Sequence, residues 1–269
     1  MYDFKYKPSP KNIVLDLIAV NQYHQLETPQ LTFISEIFDI SMNNLRVTLN
    51  RLVNEDLLAN DERGVYRLTP KALSKREFIN QWRSKQTLDT WDGSWLACYL
   101  QKGVDRTTRK KTLLALEWYG FKPGLDLIWV RPNNLVLETE NLAESLTTLG
   151  IEEGTKLFVM SDTDIHLQRR WTTTVWPVDQ LDQQYDALVL QILKSTQLLE
   201  TNSVRTSLIE TCQLGGEAIH CLALDPLLPK AIRAGEKYEE LKQTMLNYDK
   251  LGRKIWLEEL SKLGVAEAY

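Results

Sequence analysis

The chain has 269 residues, enough for one large domain or two to three small ones. Its 43% hydrophobic and 25% charged residues are those of a globular protein and exclude a disordered, collagen-like or mucin-like chain. No run of about 18 apolar residues occurs, Met1 to Pro10 lacks the apolar core of a secretory signal, and three scattered cysteines make no disulfide framework, so a cytoplasmic protein without a membrane span is expected.

The net charge of −4 hides an asymmetry. Residues 1–85 carry 12 Lys and Arg against 10 Asp and Glu, residues 86–165 carry 8 against 12, and residues 166–269 carry 12 against 14. The positive charges of the first segment cluster late, at Arg63, Arg67, Lys71, Lys75, Arg76, Arg83 and Lys85. A polyanion responds to the local field of one face, not to the net charge of the chain.

Apolar residues at Ile13, Leu17 and Val20 predict a helix over 11–24. Thr28-Pro29 opens a second helix, with Thr28 as N-cap and Pro29 at the first helical position, which ends near Asp39. Ser41 caps a third, in which Leu45, Leu49 and Leu52 repeat at i, i+4, i+7. A short strand at Leu57-Leu58, a turn at Asp61–Gly64 and an alternating return strand, Val65–Leu68, complete a hairpin. Three short helices followed by a hairpin is the pattern of a winged helix-turn-helix. A further helix runs from Thr69-Pro70 to about Gln86 with a basic outer face, and 87–90 is the linker.

On a helical wheel the side of the third helix opposite its leucines presents Asn43, Asn44, Arg46, Val47, Asn50, Arg51 and Asn54. Asn reads the N6/N7 edge of adenine, Arg reads guanine O6 and N7, and a branched methyl touches the thymine methyl. Asn43, Arg46/Val47 and Asn50 stand at i, i+3/i+4, i+7 and so point into one groove. Asn43, Asn44, Arg46, Val47 and Asn50 are the expected base contacts. Arg63, Tyr66, Lys71 and Lys75 are the expected phosphate contacts, and Arg51 is placed either on phosphate or in a pair with Glu55 at i+4.

The middle of the chain alternates. A strand over Ser94–Leu100, a helix over Asp105–Tyr119, a turn at Phe121–Gly124, a strand over Leu125–Val130, a short strand at Leu135–Leu137, a helix over Asn141–Leu149 and a strand over Lys156–Met160 make a split βαβ, ferredoxin-like pattern. Beyond Ile165 strand signals vanish. Helices are predicted over 177–200, over 203–224 loosened or interrupted at Gly215-Gly216, and over 235–263, with a break at Asp225–Pro229. The expected architecture is α+β and multidomain: a winged-helix domain over 1–86, a ferredoxin-like domain over 91–165 and a helical domain over 166–269.

Motifs for catalysis are missing. His24, His166 and His220 have no zinc-ligand spacing, and no phosphate-binding glycine loop or nucleophile elbow occurs. Two polar-aromatic spots could take a small effector: Arg106 and Arg109 with Trp118, and Arg169, Arg170 and Trp171. Arg beside Trp can hold a phosphate and stack on a ring. An ordinary solvated helix end and a core tryptophan explain each spot as well.

Four stretches resemble the PaaX family of phenylacetic acid degradation repressors. They are Leu45–Leu52 with Val65–Thr69, the W-D-G-x-W-L stretch at Trp91–Leu96, Trp176 with Leu181 and Tyr185, and the D-P-x-L-P break at Asp225–Pro229. The resemblance implies a winged-helix head, a middle domain like that of the small CRISPR adaptation nuclease, and a helical C-terminal domain. It further implies a homodimer on a palindromic double-stranded DNA operator, released by an aryl- or acyl-CoA effector such as phenylacetyl-CoA. Some positions depart from the family. Asp56 and Ala72 stand where glycine is common, His220 stands where arginine is frequent, and the Trp-x-Gly after the break is missing. Where that nuclease's aspartate would end the first strand, this chain has Leu100-Gln101, so no catalytic role and no cofactor or metal is expected. The rival expectations are a metal-dependent nuclease built on the middle domain and an adaptor whose winged helix binds protein.

Overall fold

The computed structural model describes residues 8–20, 23–61, 64–84, 87–88, 90–136 and 139–263, with backbone only at Lys75 and Phe78. The fold is α+β, with two small antiparallel sheets among ten α-helices in the described residues. The chain divides into two compact units. One gathers residues 1–82, 188–221 and 241–269, and the other residues 83–187 and 222–240.

The first unit begins with α1 (Pro10–Ile18), capped by the Ser9 hydroxyl, which accepts the Asn12 N–H. The helix stops at the Ala19 cap, several residues short of the predicted His24. A three-residue strand, β1 (Gln25–Glu27), follows. It is too short to alternate visibly, and the sequence does not show it. In α2 (Thr28–Ile37) the cap is Glu27, not Thr28: the Gln30 side chain accepts the Glu27 N–H at 2.9 Å, and Pro29 sits in the first turn.

Helix α3 (Met42–Asn54) has the predicted bounds and cap, with the Asn44 N–H donating to Ser41 Oγ at 3.3 Å. Strands β2 (Leu58–Asn60) and β3 (Val65–Leu68) form the hairpin, and β1 adds to the other side of β3, giving the order β1-β3-β2. The predicted long helix after the hairpin is α4 (Pro70–Asn80), followed by a 3-10 turn over Gln81–Arg83.

The end of α3 is a Schellman turn. The Leu57 N–H donates to the Leu52 carbonyl, the Asp56 N–H donates to the Val53 carbonyl, and Leu52 and Leu57 are both buried. Asp56 takes φ 55° at the left-handed position, where glycine carries no Cβ penalty. Asp56→Gly should therefore stabilise the protein by about 0.5–1 kcal/mol, the strain relieved outweighing the entropy cost of glycine. Chemical denaturation checks it, and an unchanged or lower midpoint would contradict this view of the turn.

Leu45, Leu49 and Leu52 of α3 pack into one core with Val14, Ile18, Leu31 and Ile34, as the leucine spacing predicts. The same core takes in Leu208 of α9 (Val204–Ala223) and Trp256 and Leu260 of α10 (Glu236–Ser261). Trp256 lies stacked on Phe38, ring centroids 6.1 Å apart. Helix α9 runs unbroken through Gly215-Gly216, against the predicted interruption. A Cβ on Gly215 would touch the Met245 methyl at 3.4 Å, and one on Gly252 would touch Thr211 at 3.2 Å. The Gly215 contact is an ordinary van der Waals one, whereas at Gly252 the missing side chain serves the close approach of α10 to α9.

The second unit is built on a four-stranded sheet of order β5-β6-β4-β7: β4 (Trp95–Tyr99), β5 (Lys122–Leu125), β6 (Ile128–Pro132) and β7 (Lys156–Met160). Helices α5 (Arg106–Trp118) and α6 (Thr139–Thr148) connect β4 to β5 and β6 to β7. The single strand predicted over Leu125–Val130 is a hairpin. It turns at Asp126, φ 40°, and the predicted Phe121–Gly124 turn is mostly strand β5. Leu135 makes one bridge to Thr87 rather than a strand, and Leu137 lies outside the described residues.

Two more helices, α7 (Ile165–Thr174) and α8 (Val178–Leu198), follow. Asp164 caps α7 by accepting the His166 and Leu167 N–H groups, and the sequence reading does not find this helix. Trp95 is the centre of an aromatic cluster. Trp91 and Trp171 meet it edge-on at 5.1 and 5.0 Å, and Trp176 lies parallel at 6.1 Å.

The D-P-x-L-P break is the electrostatic centre of this unit. Asp225 accepts Tyr185 Oη, Arg233 Nη1 and the Leu227 N–H, each at 2.6 Å. Arg131 donates to the carbonyls of Tyr119, Pro132 and Pro226 and to Asn134 Oδ1. Asn134 in turn donates to the Leu227 carbonyl at 2.8 Å. Burial pushes the Arg131 guanidinium down to about 9, with Asp225 opposing the shift. Burial also works against Arg233, but Asp225, Tyr185 and Asp182 overcome it and hold its pKa above the ordinary value. Gly120, at φ 75°, lies against this break, where a Cβ would stand 2.7 Å from Pro226 Cα.

Candidate nucleic-acid interface

The α3 leucines are buried, and the opposite face is open. Asn43, Asn44, Arg46, Val47, Asn50, Arg51 and Asn54 are all exposed, Val47 at 58%. Met42 and Val53 join them with 40% and 36% exposure, two apolar additions the wheel does not single out. Ser41 holds the N-terminus of α3 to a fixed turn, and the preceding turn is tied by Arg205 Nη2 to Asp39 Oδ1 at 2.8 Å. No local sequence signal could mark Arg205, because its partner comes from a distant part of the chain.

The exposed side chains differ in what already holds them. Asn44 Oδ1 accepts the Thr48 hydroxyl at 3.5 Å. Arg51 Nε faces Glu55 Oε1 at 3.5 Å, the i+4 pair that was one of its two expected placements. Glu55 also takes Lys11, and Lys71 Nζ donates to the Glu55 backbone carbonyl at 2.7 Å. Three cations thus meet at the C-terminal end of α3, where the helix dipole favours positive charge. Arg46 makes no ion pair among the described residues.

The hairpin matches its expected role less well. Arg63 lies outside the described residues, and so does the Lys75 side chain. Tyr66 sits in the central strand β3, opposite Leu26 and Asn60, and is half-buried against the core instead of projecting from a tip. Its ring packs on the core from the middle of the sheet, not from the hairpin tip. Arg67 pairs with Asp61 at 3.1 Å.

The expected effector residues are partly committed elsewhere. Arg109 faces the buried carboxylate Glu152 at 3.1 Å and donates to the Gln101 carbonyl. Trp171 has no exposed surface and belongs to the tryptophan cluster, so its ring is a core element here and not a stacking platform. Arg106, Arg169 and Arg170 are exposed, and Trp118 is half-buried. Adjacent residues on α7 point apart, which separates Arg170 from Trp171.

A carboxylate does lie beside the end of β4, but it is Glu152, buried, with Oε1 accepting the Gln101 N–H at 3.0 Å. Asp105 is the N-cap of α5, and hydrogen bonds from Thr108 and Thr107 lower its pKa. Burial pushes the thiols of Cys98 and Cys212 up to about 12, so neither is a ready nucleophile. Among the described residues no group of three His, Cys, Asp or Glu could hold a metal ion, and no helix is long and apolar enough to cross a membrane.

No family model and no curated protein matches the sequence. Among solved structures the chain is similar to the uncharacterized protein Rv0674 from Mycobacterium tuberculosis. The TM-score is 0.63 at 17% identity, over 94% of this chain and 99% of that one. The likeness concerns the fold, and it extends over nearly the full length of both chains.

Proposed function

We propose that the protein is a ligand-responsive transcriptional repressor, without enzymatic activity, that places α3 in the major groove of double-stranded DNA. The observation that carries this reading is the open face of α3. Its carboxamides, its exposed Val47 and its Arg46, which makes no ion pair among the described residues, are the group types that read base edges, and cations flank its C-terminal end. The order α1, β1, α2, α3, β2, β3 with the three-stranded sheet supports a winged helix-turn-helix. The sheet order β5-β6-β4-β7 around two crossover helices supports a ferredoxin-like second domain.

In this reading the protein acts in the cytoplasm as a homodimer on a palindromic operator, in the manner of the PaaX family. Two copies of α3 then stand about 34 Å apart, one turn of duplex. The effector is an acyl-CoA thioester, phenylacetyl-CoA in the first instance. The exposed Arg106, Arg169 and Arg170 are available to its phosphates. Release requires that the thioester bind the DNA-free form more tightly than the bound form. A mobility shift with the gene's own upstream DNA tests the reading, repeated with a panel of acyl-CoA thioesters. The expected result is a retarded band that one thioester dissolves. An unretarded probe would overturn it.

A further inference from the structure

We propose that the core of each operator half-site is a block of A·T pairs with one guanine at a fixed offset. This inference rests on the DNA reading above. Sorting the seven residues of the open face of α3 by what already holds each side chain leaves five, of which Asn54 is the last residue of the helix, beside the Glu55 cluster, and the other four lie in its first three turns. Asn44 accepts from Thr48, and Arg51 is held by Glu55. Asn43, Arg46, Val47 and Asn50 remain exposed, and none makes an ion pair among the described residues.

At 3.6 residues per turn, Asn43, Val47 and Asn50 fall within about 60° of one another, and Arg46 lies about 40° beyond Asn50, at the edge of the same stripe. From Asn43 to Asn50 the rise is about 10 Å, the length of about three base-pair steps. In these three turns the stripe carries two carboxamides and an isopropyl group, with Arg46 as its one charge, at the edge. A surface meant for phosphate would carry Lys or Arg along its middle.

Each group on the stripe has one good partner in the major groove. A carboxamide accepts from adenine N6 and donates to N7. Guanine presents two acceptors and leaves the amide oxygen facing another oxygen. The Val47 methyls gain by covering a thymine methyl. Against cytosine N4 or guanine O6 they would strip water from a polar group and return nothing. Arg46, at the edge of the stripe and without an ion pair among the described residues, matches guanine O6 and N7.

The experiment is selection of duplexes from a randomised library by the full-length chain. The enriched sequence is then titrated with single thymines replaced by deoxyuridine, against wild type and Val47→Ala. The expected result is a contiguous A·T block with one invariant guanine. Deoxyuridine at one position should weaken wild type about threefold to fivefold and leave Val47→Ala unchanged. Asn50→Ala should lose its preference at one adenine. Enrichment of G·C-rich sites, or binding without sequence preference, would overturn the base assignment while leaving DNA binding in place. Recovery of no duplex would overturn both. Val47 and Asn50 are exposed helix positions, so alanine there leaves the fold intact, and circular dichroism verifies this.

Discussion

Asp225→Ala should destabilise the unit formed by residues 83–187 and 222–240 by about 3–5 kcal/mol, against a total of about 5–15 kcal/mol for a typical domain. The Asp225 carboxylate is 3% exposed and accepts from Tyr185, Leu227 and Arg233 at 2.6 Å each. Without it, Arg233 keeps Asp182 at 2.8 Å and the Tyr185 ring at 4.8 Å but loses its closest countercharge. Arg131 loses the carboxylate that offsets its desolvation. The Leu227 N–H becomes a buried donor without this acceptor, costing about 1–3 kcal/mol, and the Tyr185 hydroxyl loses its 2.6 Å bond.

Asp225→Asn keeps the shape and some of the hydrogen bonds and should fall between the two. Tryptophan fluorescence during urea unfolding checks this, because Trp91, Trp95, Trp171 and Trp176 lie in the affected unit. An unchanged midpoint for Asp225→Ala would show that the network contributes nothing.

The second large effect concerns binding. Arg46→Ala should weaken specific DNA binding by about 1–3 kcal/mol, up to roughly a hundredfold, and leave thermal stability within about 0.5 kcal/mol. Arg46 is exposed, has no ion pair among the described residues and makes no contribution to the core, so the two readouts separate cleanly. Arg51→Ala makes the contrast. Part of its charge is satisfied by Glu55, so it should cost less affinity than Arg46→Ala. Fluorescence anisotropy with a labelled operator measures both. Full affinity in Arg46→Ala would remove this residue from the interface.

The most legible element in the sequence is α3. Three leucines at helical spacing, a serine cap and a polar remainder fix its bounds and its inner face, because periodicity reports which side is buried. The alternating Val65–Leu68 sequence marks a strand in the same way, whereas β4 and β7 are legible as short, bounded apolar runs. Pieces without such marks are not. Three-residue β1 shows no alternation, and the apolar run spanning β5 and β6 hides a two-residue turn at Asp126 that lacks glycine.

Long-range pairings are illegible in principle from one chain. Arg51–Glu55 can be read at i+4, whereas Lys11–Glu55, Arg205–Asp39 and the seat of Trp256 on Phe38 cannot. The effector residues fail for a related reason. Arg170 and Trp171 are neighbours in sequence, but one is exposed and the other has no exposed surface.

The central claim is that the outward face of α3 meets a polyanion with a defined groove. Its most direct test is the affinity of the full chain for its own upstream duplex, measured by anisotropy as monovalent salt rises from about 50 to about 200 mM. Phosphate contacts release counterions, so the apparent association constant should fall at least about tenfold along a straight line in log–log coordinates. A flat response, or no binding at the lowest salt, would contradict the account.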